Sequence, residues 1–278
     1  MLLLVDGSNL LFQMFYGMPA RILSPGGKPI QGTLGFVGAL LKIIRMVRPT
    51  HVAVLFDGEH DNPRAALDEN YKANREDYSA MAEEDTPFSQ LPDIYAALDL
   101  LGIAHGETET CEADDWMASF AQTYGKSMPV VLASQDSDLF QLVTENVRVL
   151  RYRGEKTVLC DEAYLQEKFG IRPSQYADFK ALVGDHSDNI RGIRGIGPKT
   201  AAGLLTRFGS LEEILKAGDK IARPSLREAL QTEAERVRRN RELISLTDEA
   251  AQPFELPQMV YADAGMTTTQ VLQQLNLR

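Results

Sequence analysis

Leu2-Leu3-Leu4-Val5-Asp6-Gly7-Ser8-Asn9 and His51-Val52-Ala53-Val54-Leu55-Phe56-Asp57-Gly58 are two instances of one pattern. Each is a short continuous apolar run that stops on Asp-Gly, and each reads as a buried strand running into a turn. A third run, Pro129-Val130-Val131-Leu132-Ala133-Ser134, ends on Gln135-Asp136-Ser137-Asp138. Helical patterns lie between them: residues 34–47 carry apolar side chains at helical spacing and stop before Pro49, and residues 91–101 are closed by Gly102. Ile103-Ala104 reads as a short strand, and residues 147–152 with 156–159 as a hairpin across Arg153-Gly154-Glu155. Strands alternating with helices predict an α/β fold with a mostly parallel sheet. In such sheets ligands bind where the carboxyl ends of the strands turn outward. Asp6, Asp57, Asp136 and Asp138 all fall at that edge.

One strand-end Asp is an ordinary turn former. The set is harder to explain away once Glu112-Ala113-Asp114-Asp115 is added, three acids crowded at the start of a helical run through Tyr124. Acids in a first helical turn cap free N–H groups and complement the dipole, which accounts for one or two of them. Asp185-His186-Ser187-Asp188 presents another acidic pair. Carboxylates packed within a few ångströms repel by several kcal/mol at intermediate dielectric. A hard divalent cation, Mg²⁺ or Mn²⁺, is the natural counter-charge for oxygen ligands, and no His/Cys group with zinc spacing competes.

Composition sets outer bounds. The chain has 278 residues, 44% hydrophobic and 24% charged, ordinary for a globular protein. No apolar run approaches the roughly 18 residues that span a bilayer, and the start meets an acid after four apolar residues, unlike a signal peptide. Cys111 and Cys160 match neither a disulfide framework nor a zinc site; a cytoplasmic protein with reduced thiols is expected. The net charge of −10 argues against a polyanionic ligand, but twelve Lys/Arg face six Asp/Glu between Arg191 and Arg241. Ligand acids that hold cations also overstate the negative total.

Residues 58–90 carry no strand pattern and read equally as a solvated crossover or as a functional insertion whose Arg64, Lys72 and Arg75 meet phosphates. Further on, Gly192-Ile193-Arg194-Gly195-Ile196-Gly197-Pro198-Lys199-Thr200 joins a Gly-rich turn to a helix start. Glycines there let backbone approach a phosphate, and free N–H groups with Lys199 favour an anion. The spacing is not that of a nucleotide P-loop. It reads as a helix-hairpin-helix element gripping duplex backbone without reading bases. Residues 211–247 form a basic helical region, and Val271, Leu272, Leu275 and Leu277 suggest a last docked helix.

In this order the elements resemble the 5′-nuclease (flap endonuclease) superfamily, in particular stand-alone bacterial 5′–3′ exonucleases and the 5′-nuclease domain of bacterial DNA polymerase I. The resemblance covers roughly residues 2–250. It rests on the Asp6 and Asp57 strand ends, Tyr71-Lys72-Ala73-Asn74-Arg75, Glu112-Ala113-Asp114-Asp115, Ser134-Gln135-Asp136-Ser137-Asp138, Gly184-Asp185-His186-Ser187-Asp188, and Gly195-Ile196-Gly197-Pro198-Lys199-Thr200. It implies a PIN-like catalytic domain over residues 1–170 with a helical arch at about 64–90, and a helix-hairpin-helix region over 171–278. It implies a first metal site of Asp6, Asp57, Glu112 and Asp114 with Asp115 nearby, and a second of Asp136, Asp138, Asp185 and Asp188. Arg64, Lys72, Arg75 and Lys180 would meet the scissile phosphate, and Tyr71 would stack on an unpaired base. Arg194, Gly195, Ile196, Gly197, Pro198, Lys199 and Thr200 would hold duplex DNA. Some relatives bind K⁺ through hairpin carbonyls, here those of Leu182, Val183, Arg191, Ile193 and Ile196.

The expected protein is thus a free-standing, monomeric, two-metal nuclease cutting DNA near a 5′ flap or 5′ single-stranded end on duplex, with no membrane partner. Two ions roughly 4 Å apart would lower the pKa of a bound water and offset leaving-group charge. A PIN-type ribonuclease shares the acidic strand ends but lacks the downstream hairpin. A DNA-structure-binding relative without catalysis conflicts with the full acid set. A small-molecule phosphatase would want a nucleophilic Asp-x-Asp after the first strand, which Asp6-Gly7-Ser8 does not supply.

Overall fold

The computed structural model describes residues 1–60, 63–74, 78, 82, 85–247 and 249–278. Its strands β1 (Leu2–Asp6), β2 (His51–Phe56), β3 (Ala104–Glu107), β4 (Val130–Ala133), β5 (Val147–Arg151) and β6 (Val158–Cys160) form one sheet in the order β3-β2-β1-β4-β5-β6. All pairings are parallel except β5 with β6. β1 is buried along its whole length because both its edges are paired and both its faces covered. The period of two sorts its side chains. Leu3 and Val5, with Val52 and Val54, pack on one face against α1 (Gly7–Gly17), α2 (Gln31–Val47) and α3 (Leu91–Leu100). Leu2 and Leu4, with Ala53 and Leu55, face α4 (Ala113–Tyr124), whose Trp116, Met117 and Phe120 fill that layer.

The chain leaves β1 toward β2 on one side and reaches β4 on the other. The crevice at this change of direction is where such sheets bind ligands. Both Asp-Gly pairs are explained by packing at this rim. A Cβ on Gly7 would overlap the Phe56 ring, and one on Gly58 would overlap the Thr108 carbonyl oxygen. The sequence predicted a turn after Asp6; instead α1 starts at once, with the Asp6 carboxylate accepting the Asn9 N–H at 2.9 Å as its N-cap.

The second half is helical: α5 (Glu162–Phe169), α6 (Tyr176–Val183), α7 (Pro198–Phe208), α8 (Leu211–Lys216), α9 (Pro224–Thr232) and α10 (Ala234–Ile244). Between α6 and α7 the two-residue strands β7 (Gly184–Asp185) and β8 (Ile190–Arg191) pair antiparallel, a feature too short for a periodicity to reveal. One apolar cluster runs from Leu2 through Ile193 and Leu205 to Met259, so both halves share a core. The last helix, α11 (Thr268–Gln274), returns to the first half, where Leu272 and Leu277 pack with Ile30.

The segment expected to form a helical arch shows short 3₁₀ turns at Pro63–Ala66 and Pro87–Gln90, and no α-helix among its described residues. Proline at these turn starts removes an N–H donor and favours a tight turn. Arg75 lies outside the described residues. Among the described residues no helix is long and apolar enough to cross a membrane, and Cys111 and Cys160 are both free thiols.

Candidate active site

Three strand ends meet through hydroxyl and amide groups. Ser134 Oγ donates to Asp6 Oδ2 at 2.7 Å and accepts the Asp136 N–H at 2.9 Å. Ser8 Oγ accepts the Asp57 N–H at 2.9 Å, and Asn9 Oδ1 accepts the Gln135 N–H at 3.0 Å. These small polar residues fix the rim, and the sequence reading did not single them out. Asp57 Oδ1 in turn accepts the Ala113 N–H at 2.8 Å, at the N-terminus of α4. Burial, and then the neighbouring Asp57, push the Asp6 carboxyl up to about 7. Among the described residues Asp6, Asp57 and Asp136 form no ion pair with Lys or Arg.

The remaining acids have protein cations among them. Arg64, nearly buried, donates to Asp115 Oδ1 at 2.6 Å, pairs with Glu112 and lies 3.6 Å from Asp114 Oδ1. Lys72 also pairs with Glu112. Burial opposes ionisation of Glu112, but Lys72 and Arg64 outweigh it and hold its pKa below the ordinary value. Asp115 has a separate job. Besides Arg64 it accepts the Thr247 N–H at 2.9 Å and, in a long capping contact, the Glu112 N–H at 3.4 Å. It ties α4 to the segment after α10. Asp114 is the opposite case: its Oδ1 is buried with no hydrogen-bond partner among the described residues. Burial, with Glu112 and Asp115 nearby, drives its pKa well above the ordinary range despite Arg64.

On the other wall, Asp138, Asp185 and Asp188 each offer an oxygen within 4.8 Å of the others. Lys180, buried on α6, pairs with both Asp138 and Asp185. Burial pushes Asp138 up to about 7 against the pull of Lys180. At half-buried Asp185 that pull, helped by two contacts from Ser187, prevails over burial and lowers the pKa. The two walls are stapled together. Lys72 N–H donates to the Asp188 carbonyl at 3.1 Å, Asn189 Nδ2 to the Asn70 carbonyl at 2.9 Å, and Asn74 Nδ2 to the His186 carbonyl at 3.0 Å.

Tyr71 is where the structure departs most from expectation. The residue is 8% exposed and its hydroxyl donates to Glu112 at 3.2 Å, so it offers no stacking face in this arrangement. The hairpin after β8 does present its surface. Ile193 and Ile196 are buried as anchors, while Arg194, Gly195, Gly197, Pro198 and Lys199 are exposed and Thr200 is half-buried. Gly195 takes φ +86°, a conformation glycine adopts without penalty. Gly197 caps α7, and Pro198 opens it, giving an exposed helix N-terminus beside Lys199.

The donor set suits a hard divalent ion: carboxylate oxygens only, one of them buried without a hydrogen bond and three more without a protein cation among the described residues. The repulsion expected among the acids is only partly left for a metal, because Arg64, Lys72 and Lys180 already offset it at Glu112, Asp115, Asp138 and Asp185. The fit is less good for K⁺. Among the expected carbonyls, that of Leu182 accepts the Ile193 N–H at 2.9 Å and that of Ile193 accepts the Ile196 N–H at 3.0 Å. The Arg191 carbonyl is taken by Asn240 at 2.9 Å and by Arg236.

Comparison with known proteins agrees with this fold. The thermostable DNA polymerase I of Thermus thermophilus is 38% identical over 257 residues, covering 92% of this chain and 30% of the polymerase. The chain therefore spans about a third of the length of such relatives. A phage T5 protein co-crystallised with metal ions shares the fold with a TM-score of 0.72 at 24% identity, covering 87% of this chain and 88% of its own. A phage T5 flap endonuclease in a complex with DNA and metal ions gives a TM-score of 0.69 at 25% identity over the same shares. The profile "5′-3′ exonuclease, N-terminal resolvase-like domain" matches residues 1–170, and "5′-3′ exonuclease, C-terminal SAM fold" matches residues 171–266. With both profiles matched in tandem, the chain belongs to the 5′-3′ exonuclease family of nucleases.

Proposed function

We propose that this chain is a structure-specific nuclease, dependent on Mg²⁺ or Mn²⁺, that hydrolyses DNA phosphodiesters near a 5′ single-strand/duplex junction. The observation that carries this is the pair of acid groups at the sheet crevice: Asp6, Asp57 and Asp136 without a protein cation among the described residues, and Asp138, Asp185 and Asp188 within 4.8 Å of one another. Asp6, Asp57, Glu112 and Asp114 would hold one ion, and Asp136, Asp138, Asp185 and Asp188 a second, with Asp115 supporting α4. Bound ions would supply an activated water and charge compensation at the leaving oxygen. Arg64, Lys72 and Lys180 stand among these acids, and their positive charges suit the scissile phosphate. The exposed α7 N-terminus with Arg194 and Lys199 would hold duplex backbone, which fixes position without reading bases. With duplex gripped there, the phosphate presented to the acids is chosen by the shape of the substrate. We place this activity in a monomer in the cytoplasm, consistent with two free thiols.

The test is a substrate panel with Mn²⁺: a 5′-labelled flap duplex, the blunt duplex, and single-stranded RNA of the same sequence. Cuts confined to the flap junction and abolished by EDTA are expected. Equal cutting of the RNA with no preference for the flap would contradict the proposal.

A further inference from the structure

The hairpin is held from behind by α10. Arg236 donates through Nη1 to the Arg191 carbonyl and through Nη2 to the Gly192 carbonyl at 3.2 Å. Asn240, one helical turn on, donates to the Ala181 carbonyl at 3.2 Å and the Arg191 carbonyl at 2.9 Å. On the other flank Arg223 reaches the Gly195 carbonyl at 3.1 Å. The Ala181, Arg191 and Gly192 carbonyls are brought together by a close backbone crossing: a Cβ on Gly192 would overlap the carbonyl of Val183, and Gly184 takes φ +91° beside it. Oxygens gathered this way form a concentration of negative dipole ends, which a positive group stabilises. Arg236 supplies that group from inside the chain. Its planar fork spans two acceptors at fixed spacing, as an ammonium does not.

We propose that Arg236 is the hairpin's built-in counter-cation, a positioning residue that holds the Arg191–Gly192 carbonyls in the form that grips duplex and so makes that grip independent of K⁺. The inference rests on the duplex-binding reading of the hairpin. Glu233, which pairs with the same guanidinium, keeps Arg236 directed along α10 toward the turn. The side chain therefore acts through backbone and not as a phosphate contact of its own.

The experiment measures binding of a labelled flap duplex by anisotropy, in EDTA, at one ionic strength set with KCl or with tetramethylammonium chloride. Tetramethylammonium is too large to sit among carbonyl oxygens. Wild-type affinity is expected to agree within about twofold in the two salts, whereas Arg236→Gln weakens about tenfold in tetramethylammonium and recovers in K⁺. Arg236→Lys should need K⁺ less than Arg236→Gln does, since it restores the charge. A wild type that binds tightly only in K⁺ overturns the inference, and so does an Arg236→Gln loss that K⁺ leaves unchanged. No duplex binding by the wild type in either salt would instead overturn the duplex reading beneath it.

Discussion

The backbone N–H of Lys72 donates to the carbonyl of Asp188 at 3.1 Å, and Lys72 takes the left-handed φ of +57° to make this contact. A non-glycine residue in that region carries strain that its surroundings must hold in place. Asn189, itself at φ +58°, supplies the hold through its bond to the Asn70 carbonyl. Asn189→Ala is expected to lose about 1 kcal/mol of stability, one hydrogen bond. It should lower kcat on a flap substrate by more than it changes duplex affinity, because it frees Lys72 from its place beside Glu112. Stopped-flow cleavage with parallel anisotropy checks this; an affinity loss with unchanged kcat would contradict it.

Asp114 and Asp115 are neighbours with opposite predicted costs. Asp115→Ala removes the acceptor of Arg64 and of the Thr247 N–H, and breaking such a buried pair costs about 3 kcal/mol. Asp114→Asn replaces a carboxyl whose charged form burial disfavours in the metal-free protein, so its cost in EDTA should stay under about 1 kcal/mol. The same change should reduce metal affinity by about 10–100-fold. Urea unfolding in EDTA and a metal titration decide the matter, and the reverse order of stabilities would contradict the assignment.

How far the sequence reached depends on range. Asp6 and Asp57 were legible because strand, Asp and Gly are contiguous, and both glycines proved to be packing requirements. One helical turn does not aim three carboxylates at one point, and Asp115 turns instead to Arg64 and the Thr247 N–H. What the sequence hid is pairing across distance. Arg64 meets Glu112 across 48 residues and Lys180 meets Asp138 across 42, with nothing in spacing to predict either. The positive charge assigned to metal alone was thus shared with the protein's own side chains. The family resemblance makes Tyr71 a stacking face for an unpaired base, but its hydroxyl turns it inward to Glu112.

Metal removal should reverse the pH dependence of stability. Burial raises Asp6 and Asp138 from an ordinary 3.8 to about 7 each in the metal-free protein. The folded state then holds more protons than the unfolded one, so the stability these groups contribute is lost as pH rises through about 7. In EDTA the melting temperature should fall between pH 5 and pH 7.5, and Asp6→Asn should flatten that slope. With Mn²⁺ the trend should invert, because ionised carboxylates bind the ion. A slope in EDTA that is the same in Asp6→Asn would contradict the account.

Lys199 is exposed in the first turn of α7. Lys199→Ala should weaken duplex binding and reduce the slope of log affinity against log salt by about one unit. Binding measured across a salt series reads this directly. An unchanged slope would remove Lys199 from the duplex surface.

The proposed activity requires that the crevice acids bind divalent metal. A Mn²⁺ titration followed by electron paramagnetic resonance of the free ion tests it most directly, in wild type, Asp136→Asn and Asp185→Asn. Two saturable ions per wild-type chain are expected, with one retained in Asp185→Asn and both weakened in Asp136→Asn, because Asp136 shares the Ser134 hydroxyl with Asp6 and so stands between the two sites. Saturable binding that all three proteins share equally, or none in the wild type, would contradict it.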